Sequence, residues 1–151
     1  MSAALDHRFS HLPLGTCRER LEAGTIGRVA WTSRKGPQIL PVTYLVHDDQ
    51  IVFRTDAHGP LASLQGGEPA VFEVDAFDPT SRSGWSVVVR GRAYTAQRSA
   101  RAAQLWRDAD PVPWAGGSRP VFVSLTIDEL TGRSITRRQE DDDLEESRSQ
   151  A

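Results

Sequence analysis

Ile26-Gly27-Arg28-Val29-Ala30-Trp31-Thr32, the break Lys35-Gly36-Pro37, and Gln38-Ile39-Leu40-Pro41-Val42-Thr43-Tyr44-Leu45-Val46 decide how this chain folds. Two runs rich in β-branched residues flank a cluster of turn formers, which is the pattern of a β-hairpin. A second polar turn, His47-Asp48-Asp49-Gln50, leads into Ile51-Val52-Phe53-Arg54-Thr55, so the hairpin grows into a meander. Further out, residues 69–77 alternate in part, residues 84–94 make a long strand, and residues 119–127 and 131–136 read as the last two strands. The class is mainly β with short helices, and some six antiparallel strands are expected to close into a barrel.

Three helical segments interrupt the strands. Residues 14–24 carry Thr16 as N-cap, Glu19 three residues later and Gly24 as a stop. Residues 99–107 are alanine-rich with Leu105 and Trp106 as anchors, and are expected to cross the barrel's open side before Asp110-Pro111-Val112-Pro113 ends them. Pro60 suits the first turn of a short helix that Gly66-Gly67 terminates. There a strand runs into a helix start, where unpaired N–H groups and the helix dipole favour an anion such as phosphate. Arg54 and Thr55 stand just before that point.

Composition limits the function classes. A chain of 151 residues makes one domain, and a net charge of −2 with one cysteine indicates neither a nucleic-acid-scale basic field nor a disulfide framework. Cys17 is expected to be a reduced, partly buried thiol. No apolar run approaches the roughly 20 residues of a membrane span, and residues 1–8 lack a signal peptide's apolar core. A cytoplasmic protein with no membrane or nucleic-acid partner is expected. The histidines at 7, 11, 47 and 58 have no metal-ligand spacing, and no Ser/His/Asp arrangement occurs. Residues 1–13 read as a weakly ordered lead segment and residues 14–136 as the domain. Residues 137–151, with six acidic side chains and no aromatic, read as a disordered tail.

Taken in order, Ile26-Gly27-Arg28-Val29-Ala30, Leu40-Pro41-Val42-Thr43-Tyr44, Val52-Phe53-Arg54-Thr55, Phe72-Glu73-Val74-Asp75 and residues 84–93 resemble the pyridoxamine 5'-phosphate oxidase-like family. The likeness continues through Pro113-Trp114-Ala115-Gly116-Gly117-Ser118-Arg119 and Leu130-Thr131-Gly132-Arg133. It implies an FMN-binding split β-barrel of antiparallel Greek-key type. It also implies a homodimer, with the flavin ring held between subunits and the phosphate lying after the third strand. FMN requires a phosphate site, a polar channel for its ribityl chain, and a slot that is polar at one edge and apolar at the other.

By position, the resemblance assigns cofactor contacts to Pro41, Val42 and Thr43 along the ring, and to Arg54, Thr55, Gly59, Leu61 and Ser63 at the phosphate. Ser86 reaches the flavin with Trp85 as a wall, and Trp114, Arg119 and Arg133 cover it from the partner chain. His58 is a further cation in the phosphate loop. Family members commonly carry a basic residue where this chain has Pro60, so another group must replace it, either backbone N–H groups or an arginine from elsewhere. The chain lacks the substrate-phosphate signature of a true pyridoxamine phosphate oxidase. The implied function is an FMN-binding oxidoreductase moving hydride or electrons between flavin and a small conjugated or aromatic substrate. Two alternatives stay open: an F420-dependent reductase using Arg28, Arg90 and Arg92, and a non-catalytic flavin or haem binding module.

Overall fold

Side chains along residues 26–31 alternate between exposed and buried, and that alternation builds the sheet. Gly27, Val29 and Trp31 point inward from strand β2 (Ile26–Ser33), while Ile26, Arg28 and Ala30 point outward. The computed structural model describes residues 7–96 and 99–137. Its remaining elements are β1 (His7–His11), α1 (Leu14–Ala23), β3 (Gly36–His47), β4 (Gln50–Thr55), β5 (Gly66–Asp78), β6 (Ser83–Ala96), α2 (Ala100–Asp108), β7 (Val121–Thr126) and β8 (Glu129–Arg137). The expected acidic tail lies outside the described residues, apart from Arg137 at the end of β8.

Neighbouring strands run β1-β8-β6-β5-β2-β3-β4-β7, and β7 also pairs with β6. That last pairing closes β2 to β7 into a six-stranded antiparallel barrel. Its interior is one cluster that includes Val29, Tyr44, Phe53, Phe72, Val89 and Leu125. Turn chemistry fixes the registers. Gly36 turns the first hairpin at φ +99°, and Asp48 and Asp49 both take positive φ in a two-residue turn between β3 and β4, the geometry that matches the strands' right-handed twist.

Four expectations are corrected. Residues 131–136 do not complete the barrel, because β8 pairs with Gly84 to Arg90 of β6 while β7 takes the end of that same strand, Ala93 to Ala96. Residues 7–11, placed in the lead segment, form a strand against β8. Helix α1 begins at an N-cap Pro13 with no side-chain cap, so Thr16 lies inside the first turn. The Pro13 carbonyl accepts from Cys17 N at 3.0 Å, which puts Cys17 and Leu21 on one buried face. Helix α2, capped by Ser99 as its Oγ accepts from Ala102 N at 3.1 Å, crosses no open side. It lies on the outer face of β4 and β7, burying Ala102 and Leu105 against Val52 and Phe122.

Candidate functional site

β3 and β4 present Pro41, Thr43 and Arg54 on one side of the barrel wall. Two irregular segments, the loop after β4 and the stretch between α2 and β7, rise on either side of these residues. Together they enclose a cleft of about 750 Å³, within the size range of small-molecule and cofactor sites. Its walls are apolar where Ile26, Leu40, Val42, Leu61, Pro113 and Trp114 line it. Its polar groups collect at the C-terminal end of β4, where Arg54, Thr55, Asp56, His58 and Arg119 line it.

Of the residues expected to contact a cofactor, Pro41, Val42, Thr43, Arg54, Thr55, Gly59, Leu61 and Trp114 line this cleft, as do His58 and Arg119. Trp114 is 78 % exposed, an unusual setting for an aromatic ring of that size. Ser63 is outside the cleft lining, and its Oγ donates to the Pro60 carbonyl at 2.8 Å. The expected helix start is a single 3₁₀ turn, Pro60–Ser63. Four residues align few peptide dipoles, so the turn contributes little macrodipole. Two of the amides there are also engaged: Gly59 N bonds Asp56 O at 3.3 Å and Ala62 N bonds Gly59 O at 3.0 Å.

Arg54 is held on several sides at once. Its Nη1 meets Asp110 Oδ1 at 2.8 Å, its Nε donates to the Arg119 carbonyl at 3.1 Å, and its guanidinium stacks 4.0 Å from the Trp106 ring centroid. The sequence left Asp110 as part of a helix-breaking Asp-Pro pair. Nothing local marks it as the partner of a residue 56 positions earlier.

Trp85, Ser86 and Arg133 lie elsewhere. Trp85 packs against the core cluster under the Arg20 guanidinium, 4.5 Å from its ring centroid. Ser86 is on the opposite, outward face by strand alternation. It pairs with Asp75 and Arg133, and Arg133 pairs with His11. Arg28 joins this row to the cleft wall. Its Nη1 lies 3.1 Å from Glu73 Oε2 and 3.5 Å from Asp75 Oδ1, and its residue pairs with Pro41. Ser86 on β6 and Pro41 on β3 are three strands apart, or about 14 Å at roughly 4.8 Å per strand. Burial raises the Glu73 carboxyl above the usual range, with Asp75 adding to the rise and Arg28 opposing it. Phe9, Ile39 and Phe77 on this same face are more than half exposed.

The cations considered for F420 are engaged. Arg28 pairs as above, Arg90 Nη1 lies 3.6 Å from Glu129 Oε1, and Arg92 Nη1 donates to the Gly67 carbonyl at 2.8 Å. Among the described residues, no group of three or more His, Cys, Asp or Glu gathers as a metal site. No helix among them is long and apolar enough to cross a membrane.

A family model described as Pyridoxamine 5'-phosphate oxidase matches residues 14–134. The uncharacterized protein Rv0080 of Mycobacterium tuberculosis is 32% identical over 114 residues, 72% of this chain and 74% of that one. Among solved structures, the FAD binding protein from Mycobacterium smegmatis aligns at TM-score 0.69 with 28% identity, covering 86% of this chain and 100% of its own. A FAD-binding protein from Mesorhizobium loti aligns at TM-score 0.70 with 20% identity, covering 87% of this chain and 100% of its own, a likeness of fold.

Proposed function

This chain belongs to the pyridoxamine 5'-phosphate oxidase family, and on that premise we propose that its cleft binds a flavin and that the protein is a flavin-dependent oxidoreductase acting on a small conjugated or aromatic molecule. The observation that carries the proposal is the composition of the cleft: apolar walls along β3 and a polar, cationic end where β4 stops. The residues present fit the three environments FMN requires. Thr55 with His58 or Arg119 would meet the phosphate, Thr43 would meet the polar edge of the ring, and Ile26, Pro41 and Trp114 would cover its apolar part. When bound, the flavin supplies hydride and electron transfer itself, and the protein supplies orientation and access.

The chain's own residues then do three things. Ile26 and Pro41, on the outward face of the β2–β3 pair, would give the ring an apolar floor and keep water from it. Thr43 would orient the ring by a hydrogen bond to its polar edge. Trp114 would cover the ring from the loop side of the cleft. The outer sheet face completes the reading. Because Ser86 and Arg133 are outside the cleft lining and lie on the outer sheet face, we place them at the cleft of a second copy. A two-fold homodimer seated on this face would also cover Phe9, Ile39 and Phe77, whose exposure otherwise leaves apolar area in water.

The Mycobacterium smegmatis relative, whose name says that it binds FAD, favours a second reading in which the flavin is the dinucleotide. Visible spectra and melting temperatures of the purified protein with FMN, FAD or F420 test both. Flavin bands with stabilisation by FMN or FAD are expected, and the tighter ligand identifies the cofactor. A colourless protein that no flavin stabilises refutes the proposal, and a tenfold preference for F420 replaces it.

A further inference from the structure

The cation that the sequence assigns to the flavin phosphate, Arg54, is already spent. Its charge is balanced by Asp110, its guanidinium plane is covered by Trp106, and its side chain is only 14% exposed. A phosphate placed against Arg54 would also sit beside the Asp110 carboxylate, where like charges repel strongly at reduced dielectric. Asp56 offers no counter-charge, being an acid itself, with its Oδ1 accepting from His58 N at 2.7 Å.

Arg119 is in a different position. Arg119 lines the cleft, and its side chain makes one long hydrogen bond, Nε to the Ala115 carbonyl at 3.4 Å. Among the described residues no carboxylate pairs with it. The β4–β7 register pairs Thr55 with Val121, so two residues earlier Arg119 stands across from the segment that follows β4, where the phosphate is expected. Arg54 fixes that placement by holding the Arg119 carbonyl.

We propose that Arg119 is the phosphate-binding cation of this flavin site and that Arg54, clamped by Asp110 and Trp106, is the positioning residue that presents it. The inference rests on the flavin reading above and answers how a chain with Pro60 in place of a basic residue holds a dianion. The arginine comes from the opposite wall of the cleft, delivered by the stretch between α2 and β7. A guanidinium gives phosphate a two-pronged, charge-assisted contact.

The test compares FMN with riboflavin, which lacks the phosphate, by fluorescence titration of wild type, Arg119→Gln, Arg119→Lys and Arg54→Gln, with melting curves to verify folding. Wild type is expected to prefer FMN over riboflavin. Arg119→Gln should lose about 10- to 100-fold of that preference by weakening FMN alone, and Arg119→Lys should recover part of it. Arg54→Gln should lower the preference by a smaller factor, through a displaced Arg119. A preference left intact in Arg119→Gln, or abolished only in Arg54→Gln, overturns the inference while the flavin reading stands. A folded wild type that binds neither flavin refutes both.

Discussion

Alanine at Gly24 will cost stability only while Tyr44 keeps its hydroxyl. Gly24 ends α1 with φ −73° and ψ 159°, an extended conformation open to any residue. On backbone grounds Gly24→Ala should stabilise by about 0.4–1 kcal/mol, since alanine narrows the unfolded ensemble. The obstacle is steric, for a Cβ at Gly24 would collide with Tyr44 Oη. That hydroxyl is buried and donates to the Leu21 carbonyl at 2.5 Å, in the last turn of α1, where helical carbonyls lack partners. Pushing it aside leaves a buried acceptor unpaired, at about 1–3 kcal/mol. Tyr44→Phe alone should cost about 1–2 kcal/mol for the same lost bond. In the double variant the collision is gone, and the nearest ring atoms lie 3.1 and 3.4 Å from the new methyl, a gap that a small shift relieves. The double variant should therefore match Tyr44→Phe or slightly exceed it. Urea denaturation of the four proteins measures the coupling, and effects that add to within about 0.5 kcal/mol would refute the reasoning. An alkaline arm checks the same hydroxyl. Burial pushes its pKa up to about 12, above the unfolded value of about 10. The native state thus holds this proton more tightly, and its contribution is complete below pH 10 and lost as pH rises through 12. That span is worth about 3 kcal/mol, and Tyr44→Phe should lack it.

Two further outcomes follow from the sheet. Glu73 is buried enough for its carboxyl to sit above the ordinary range, with Asp75 reinforcing and Arg28 opposing the rise. Its contribution is present below the unfolded pKa and lost as pH climbs through the folded one, so Glu73→Gln should gain stability relative to wild type between pH 4 and pH 7. A constant difference across that range in urea midpoints would count against this. Gly91 lies in β6 between the residues that pair with β8 and those that pair with β7, and a Cβ there would collide with the Thr126 carbonyl. Gly91→Ala should lose more than about 2 kcal/mol, because a backbone atom cannot step aside as a side chain can. An unchanged denaturation midpoint would place the β6–β7 seam elsewhere.

The strands of the barrel were legible because each carries its own evidence. β2 shows the inward–outward alternation in Val29, Ala30 and Trp31, and the turns at Gly36 and Asp48-Asp49 announce themselves chemically. The segment His7–His11 carries one apolar residue, Phe9, and its identity as a strand depends on pairing with β8, some 130 positions away. Similarly, residues 131–136 read correctly as a strand, yet no local signal says whether it joins β7 or β6. The site divides along the same line. Pro41, Thr43 and Thr55 were assigned by the resemblance, and they line the cleft because a strand and its end carry them there. Arg54 was read from its neighbours, and its engagement with Asp110, Trp106 and the Arg119 carbonyl is set by how α2 and the following stretch return to the barrel.

The pairing of β1 with β8 has a consequence for synthesis. Of the described strands, β1 is made first, and its partner is made last. At about 5–20 residues per second, His7 waits roughly 6–26 s before Arg137 is added. Throughout that interval β1 is an unpaired edge, the kind of segment that recruits a neighbouring chain. Arg8, Ser10 and His11 make it a poor recruiter, for a strand so polar gains little from a foreign sheet. The faint signal that hides β1 from a reader of the sequence is the same property that protects the nascent chain.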